Sequence, residues 1–83
     1  MIKIYTVPDC KHCNRAKEIL TERGISYEEF NLKEKNNRDA RAYYRKLGVR
    51  TAPVIVDEEN DWILTDFDEE SLIMMLEDYH DRK

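Results

Sequence analysis

The sequence predicts an α/β fold: a four-stranded mixed sheet carrying three helices, with the elements in the order βαβαββα. Two observations lead there. Short runs rich in β-branched and aromatic residues alternate with amphipathic segments that stop at glycine, the arrangement of strands joined by crossover helices. The last two strand-like runs, TAPVIVD and WILT, are separated only by EEND, which is too short for a helix and makes a hairpin near residues 57 to 61. Parallel pairing at the crossovers and antiparallel pairing at the hairpin give a mixed sheet.

Each element has its own warrant. Residues 2 to 7, IKIYTV, alternate roughly, and Pro8, which lacks a backbone donor, ends that strand in a turn. Over residues 13 to 23, Cys13, Ala16, Ile19, Leu20 and Arg23 recur at helical spacing, and Gly24 stops the helix. Residues 25 to 32, ISYEEFNL, read as a second strand. KEKNNRD then leads into a helix carrying Ala40, Tyr43, Tyr44 and Leu47, closed by Gly48. Pro53 introduces a short buried strand, and WILT begins the fourth. The segment TDFDEESLIMMLEDYH reads as a helix with acids in its first turn, which suit its dipole, and an apolar stripe of Leu72, Ile73, Met75, Leu76 and Tyr79.

Eighty-three residues make one small domain, residues 1–83, with no room for a second. Hydrophobic residues at 41% and charged residues at 39% argue for a compact fold rather than a disordered chain. No apolar run approaches the roughly 20 residues of a membrane span. MIKIYTV is too short a run before Pro8 for a secretory signal, so a cytoplasmic monomer without membrane contact is expected. The net charge of −4 divides into +5 over residues 1 to 56 and −9 over residues 57 to 83. Basic residues interleaved with acids, and a strongly acidic end, argue against a nucleic-acid partner. Most of the charges read as solvated helix faces.

The only two cysteines lie in YTVPDCKHC, three positions apart. That spacing puts Cys10 and Cys13 on one side of the helix, Cys10 exposed at its open N-terminal end and Cys13 shielded in the apolar stripe. The unsatisfied amides and dipole at a helix start favour an anion, and Lys11 acts in the same direction, so Cys10 is expected to ionise more readily than a free thiol. An unperturbed thiol of pKa about 8.5 is only about 3% thiolate at pH 7, whereas one near 7 is about half ionised. A disulfide staple of so short a loop would contribute only about 2 kcal/mol and would stay reduced in the cytosol. A zinc site needs about four ligands, and beyond the cysteines only His12 and His80 remain, with His12 between them. No bound metal or cofactor is expected. A redox dithiol beside a βαβ pattern uses both the spacing and the helix position.

The βαβαββα order, PDCKHC and, some forty residues on, TAPVIV together resemble the glutaredoxin family, of thioredoxin-like fold. The resemblance covers essentially the whole chain. It implies that the Ala52–Pro53 bond is cis and faces Cys10, with the Ala52 backbone pairing to a substrate chain like an added strand. It further implies that Cys10 attacks a substrate disulfide and that Cys13 resolves the mixed disulfide. Lys11, His12, Thr51, Ala52, Pro53, Thr65 and Asp66 are then the residues that present substrate or glutathione.

Two subfamilies differ in the reductant, and both supply electrons to ribonucleotide reductase. In NrdH-type redoxins it is thioredoxin reductase; YTVPDC and LGVRTAPVIV resemble that subfamily through Leu47, Gly48, Arg50, Ala52 and Pro53, and Trp62 falls where it has a tryptophan. WILTDFD departs from the WSGFRPD expected there. In glutathione-dependent members TDF, at Thr65 to Phe67, resembles the helix start that holds the γ-glutamyl end of glutathione, the helix N-terminus taking its carboxylate and Asp66 its ammonium. Against this, Trp62 and Ile63 stand where that group has a glycine pair, Val7 where it has a lysine and His12 where it has a tyrosine. Thr65 or Asp66 can instead be a plain helix cap, with Glu69 completing a capping box where Asp66 is the cap. The reading from another class is a non-catalytic thioredoxin-fold protein: an iron–sulfur or zinc carrier, or a redox-sensing adaptor.

Overall fold

The structure, a computed structural model, describes residues 1–80, with side chains as far as Glu77. Among them the elements are β1 (Ile2–Thr6), α1 (Lys11–Glu22), β2 (Tyr27–Asn31), α2 (Arg38–Lys46), β3 (Val54–Asp57), β4 (Trp62–Leu64) and α3 (Glu69–His80), in the expected order. The side chains of Tyr79 and His80 lie outside the described ones. The sheet runs β2-β1-β3-β4. β1 pairs parallel with β2, bringing Ile4 opposite Glu29, and antiparallel with β3, bringing Ile4 opposite Ile55. The hairpin then sets Ile55 opposite Leu64.

Strand alternation sorts the core onto two faces. Ile2, Ile4, Ile55 and Leu64 pack with Ala16, Ile19 and Leu20 of α1 and with Leu72, Met75 and Leu76 of α3. Tyr5, Val54 and Val56 face the other way, onto Leu32 and Ala40, flanked by Tyr43 and Tyr44 of α2 and by Leu47 just after it. Each fully buried aliphatic side chain contributes about 1.5–3 kcal/mol. Arg15 ties the two helices of the first face together, its Nε 3.1 Å from Oε2 of Glu69 and its Nη2 donating to Oε1 at 3.2 Å. Trp62, on the edge strand, packs half-buried against this same core.

Several boundaries differ from the sequence reading. The second strand begins at Tyr27 rather than Ile25. Gly24, at φ 68°, turns the chain out of α1, the Ile25 amide donates back to the Leu20 carbonyl at 2.9 Å, and the Ile25 side chain plugs the core. The last helix begins at Glu69, so neither Thr65 nor Asp66 caps it. That place belongs to Asp68, whose Oδ1 accepts the amides of Glu70 at 3.0 Å and Ser71 at 3.2 Å while Oδ2 accepts the Ser71 hydroxyl at 2.7 Å. The same Ser71 contacts hold the Asp68 carboxyl below the ordinary carboxylate range.

Asp57 is fully buried, yet its charge is satisfied. Oδ1 accepts the amides of Glu59 at 3.1 Å and Asn60 at 3.3 Å, and Oδ2 accepts Nδ2 of Asn60 at 2.6 Å. A carboxylate enclosed by the turn it organises escapes the cost of burying an unpaired charge. Among the described residues no helix is long and apolar enough to cross a membrane.

Candidate active site

Cys10 follows directly from the end of β1. Pro8 and Asp9 turn the chain, Asp9 taking φ 56°, a left-handed conformation that a short polar side chain tolerates better than most. Cys10 itself is extended, at φ −110° and ψ 109°, and is the N-cap of α1. Its sulfur accepts the Cys13 amide at 3.1 Å, the part played by a Ser or Asp oxygen at other helix starts. The sulfur therefore faces the positive end of the α1 dipole. On its other side the Cys10 thiol points at the Ala52 carbonyl, 3.8 Å away. It is partly rather than fully exposed, because that carbonyl and the turn shield one flank.

Cys13 is 1% exposed, in the first turn of α1. Burial pushes its thiol up to about 12, and the neighbouring Cys10 sulfur adds to this; the Val7 backbone and the Lys17 ammonium pull the other way. Lys17 in turn pairs with Glu29 at 3.1 Å, and Glu29 accepts the hydroxyl of buried Thr6 at 2.8 Å.

The Ala52–Pro53 bond is cis, as the resemblance implied, and Pro53 is fully buried. This loop is anchored from two directions. The Tyr44 hydroxyl donates to the Thr51 carbonyl at 2.7 Å, and the Thr51 hydroxyl donates to the Thr65 carbonyl at 3.1 Å. The structure thus brings Cys10, Cys13, Thr51, Ala52, Pro53 and the Thr65 backbone together. Lys11 and His12 are exposed on the same helix turn, the His12 ring 5.8 Å from that of Phe67. Asp66 is exposed in the stretch before α3. Among the described residues, no three His, Cys, Asp or Glu side chains converge as a metal cage.

Tyr44 and Phe67 are the two members of this surface that sequence reasoning missed as site residues. Tyr44 reads as one more apolar position on its helix, and only the tertiary fold carries its hydroxyl to Thr51. Tyr44→Phe removes that donor. It is expected to lower stability by about 1 kcal/mol and to raise the KM for a protein disulfide while leaving the rate with a small disulfide nearly unchanged; equal effects on both substrates would remove Tyr44 from a positioning role.

Residues 2–60 match the Glutaredoxin family model. The chain belongs to the glutaredoxin family. The Gene 56 protein of Mycobacterium phage D29 is 34% identical over 58 residues, which are 69% of this chain and 62% of that protein, so this glutaredoxin spans about three fifths of the phage relative's length. The thioredoxin-like protein BC3987 superposes with a TM-score of 0.71 at 30% identity, covering 89% of this chain and 97% of that one. NrdH-redoxin from Escherichia coli, described as a glutaredoxin-like protein with a thioredoxin-like activity profile, superposes with a TM-score of 0.74 at 27% identity, over 88% of this chain and 91% of its own. The thioredoxin-like fold expected from the sequence is the fold observed, and within the glutaredoxin family the chain is similar to NrdH-redoxin.

Proposed function

We propose that this glutaredoxin reduces protein disulfides through Cys10 and Cys13, with Thr51, Ala52 and Pro53 presenting the substrate. The observation that carries the reading is the pairing of roles in one helical turn: an accessible Cys10 sulfur that accepts the Cys13 amide at 3.1 Å, above a Cys13 thiol kept protonated by burial.

The chemistry follows from that asymmetry. The Cys10 thiolate attacks one sulfur of the substrate disulfide; the substrate S–S bond breaks, and the departing thiolate takes a proton from solvent. Once Cys10 is held in the mixed disulfide, its sulfur no longer raises the Cys13 pKa by charge, while Lys17 and the Val7 backbone still lower it. Cys13 then attacks the Cys10 sulfur, the bond between Cys10 and the substrate sulfur breaks, and the Cys13 proton passes to the departing substrate thiolate, leaving a Cys10–Cys13 disulfide. Two electrons have passed to the substrate, and an external dithiol or two glutathiones must return them.

Thioredoxin reductase is the reductant we favour, and ribonucleotide reductase the protein substrate. Supporting this are the similarity to a glutaredoxin-like protein described as having a thioredoxin-like activity profile and the eight acids, without a base, between residues 57 and 70, which repel anionic glutathione. Glutathione is the second reading, and Thr65, whose carbonyl is tied to Thr51, is the observation in its favour. NADPH oxidation with a disulfide substrate tests the choice, run in parallel with thioredoxin reductase alone and with glutathione plus glutathione reductase. Turnover with thioredoxin reductase alone is expected; turnover confined to the glutathione arm would assign Thr65 and Asp66 to glutathione instead, and no turnover in either arm would overturn the enzymatic reading.

A further inference from the structure

On the opposite side of the sheet from α1, a cavity of about 360 Å³ opens between the sheet and α2, with Lys3 and Tyr5 of β1 in its lining. Its lining includes three aromatic rings. Tyr5 stacks between Phe30 and Tyr43, with ring centroids 5.3 Å and 5.4 Å apart. Its rim is acidic: Asp39 comes from the first turn of α2, and Glu58 and Asp61 from the hairpin. The lining contains one base, Lys3, and its ammonium is already 3.0 Å from Glu58.

A second observation is independent of the acids. Tyr5 is only 6% exposed, and its hydroxyl makes no hydrogen bond to another described residue. Among the described residues no sealed side-chain oxygen or nitrogen lacks a partner, so the Tyr5 oxygen is not sealed, and Tyr5 is part of the cavity lining. A deeply set, unpartnered phenol oxygen, flat ring surfaces and a surplus of carboxylates at the mouth together describe a receptor for a planar cation with several N–H donors.

We propose that this cavity receives an arginine side chain presented by a partner protein. A guanidinium lies flat against ring carbon and donates in its own plane, to the Tyr5 oxygen and to a rim carboxylate, where a lysine ammonium offers only a hydrated point charge. The rim also selects the source. Free arginine must bring an α-carboxylate and an α-ammonium, both strongly hydrated, against the rim, whereas an arginine within a chain brings an uncharged backbone. The acidic hairpin extends the same charge complementarity beyond the cavity, toward a basic segment of the partner. This site needs neither cysteine, so it stands apart from the redox reading.

The test is an NMR titration of the full ¹⁵N-labelled chain with N-acetyl-arginine amide. Saturable shifts at Tyr5, Phe30, Asp39 and Tyr43 are expected, weakened by added salt, weaker with N-acetyl-lysine amide and absent with N-acetyl-norleucine amide. Asp39→Asn, an exposed substitution that spares the fold, is expected to weaken binding roughly threefold to tenfold while leaving disulfide reduction unchanged. Tyr43→Leu, which keeps the apolar fill and removes the ring, is expected to weaken it as well. Equal shifts from the arginine and norleucine amides, binding indifferent to both substitutions, or no shifts at all would overturn the proposal. Free arginine binding as tightly as the amide would overturn the assignment to a partner protein.

Discussion

Cys10→Ser is expected to abolish disulfide reduction, lowering turnover by at least about a thousandfold, because a hydroxyl is far less nucleophilic than a thiolate at neutral pH. The substitution is unusually clean. Serine is a favoured N-cap, and its oxygen can accept the Cys13 amide that the Cys10 sulfur accepts now, so α1 keeps its start. What is lost is the nucleophile and nothing else in the local geometry. Cys13→Ser separates the two halves of the reaction: attack proceeds, resolution does not, and a covalent complex with a protein substrate accumulates. Intact-mass measurement under non-reducing conditions reads this directly, and a reducing agent should dissolve the complex. A Cys10→Ser protein that retained a tenth of wild-type turnover would end the assignment of Cys10 as the attacking thiol.

The parts of this arrangement that sequence could show are those that depend on neighbours along the chain. Ala16, Ile19 and Leu20 recur at helical spacing, so α1 and the placement of Cys10 at its N-terminus were legible, and the alternation of Ile2 and Ile4 made β1 so. The cis Ala52–Pro53 bond was expected only through a family resemblance, since nothing local distinguishes it from a trans bond before a strand. The start of α3 is ambiguous in sequence because TDFD offers three capping side chains within four positions. Asp68 prevails over Thr65 and Asp66 because Ser71 lies three residues on, and because the Arg15–Glu69 bridge and the Thr51–Thr65 hydrogen bond hold the preceding stretch against α1 and the cis-proline loop. Tyr44 escaped for the same reason, since an aromatic residue on a helix stripe does not reveal where its hydroxyl ends up, and Phe67 escaped because nothing local in the chain brings its ring to His12 of α1.

The acidic half of the chain likewise divides into separate tasks once its contacts are known. Asp57 organises the hairpin, Asp68 caps α3, Glu69 joins α3 to α1 through Arg15, and Glu58 pairs with Lys3. The eight acids between residues 57 and 70 are thus not one device but several structural carboxylates with an exposed remainder. That remainder, Asp61 and Asp66 among it, is what a reductant or a partner meets.

Above about pH 9 the reduced protein is expected to lose stability through Cys13. The thiol has an ordinary value of 9.0, and burial, reinforced by the Cys10 sulfur, pushes it up to about 12 in the folded chain. Below pH 9 folded and unfolded chains both hold this proton, and the group gives stability no pH dependence. Between pH 9 and 12 the unfolded chain releases the proton while the folded chain retains it, so unfolding gains about 1.36 kcal/mol per pH unit. Across the window the loss is on the order of a few kcal/mol, a sizeable share of the roughly 4–12 kcal/mol that stabilises a domain of this size. Tyrosines and lysines titrate in the same range, so the measurement is a difference: denaturant unfolding of Cys10→Ser against the Cys10→Ser, Cys13→Ala double variant, both kept reduced. The Cys10→Ser background removes the second cause and leaves burial, the larger one, and the free-energy gap between the two proteins should close as pH rises. Parallel curves would mean that Cys13 ionises as easily folded as unfolded, and the ordering of the two thiols, attack by Cys10 before resolution by Cys13, would lose its electrostatic basis.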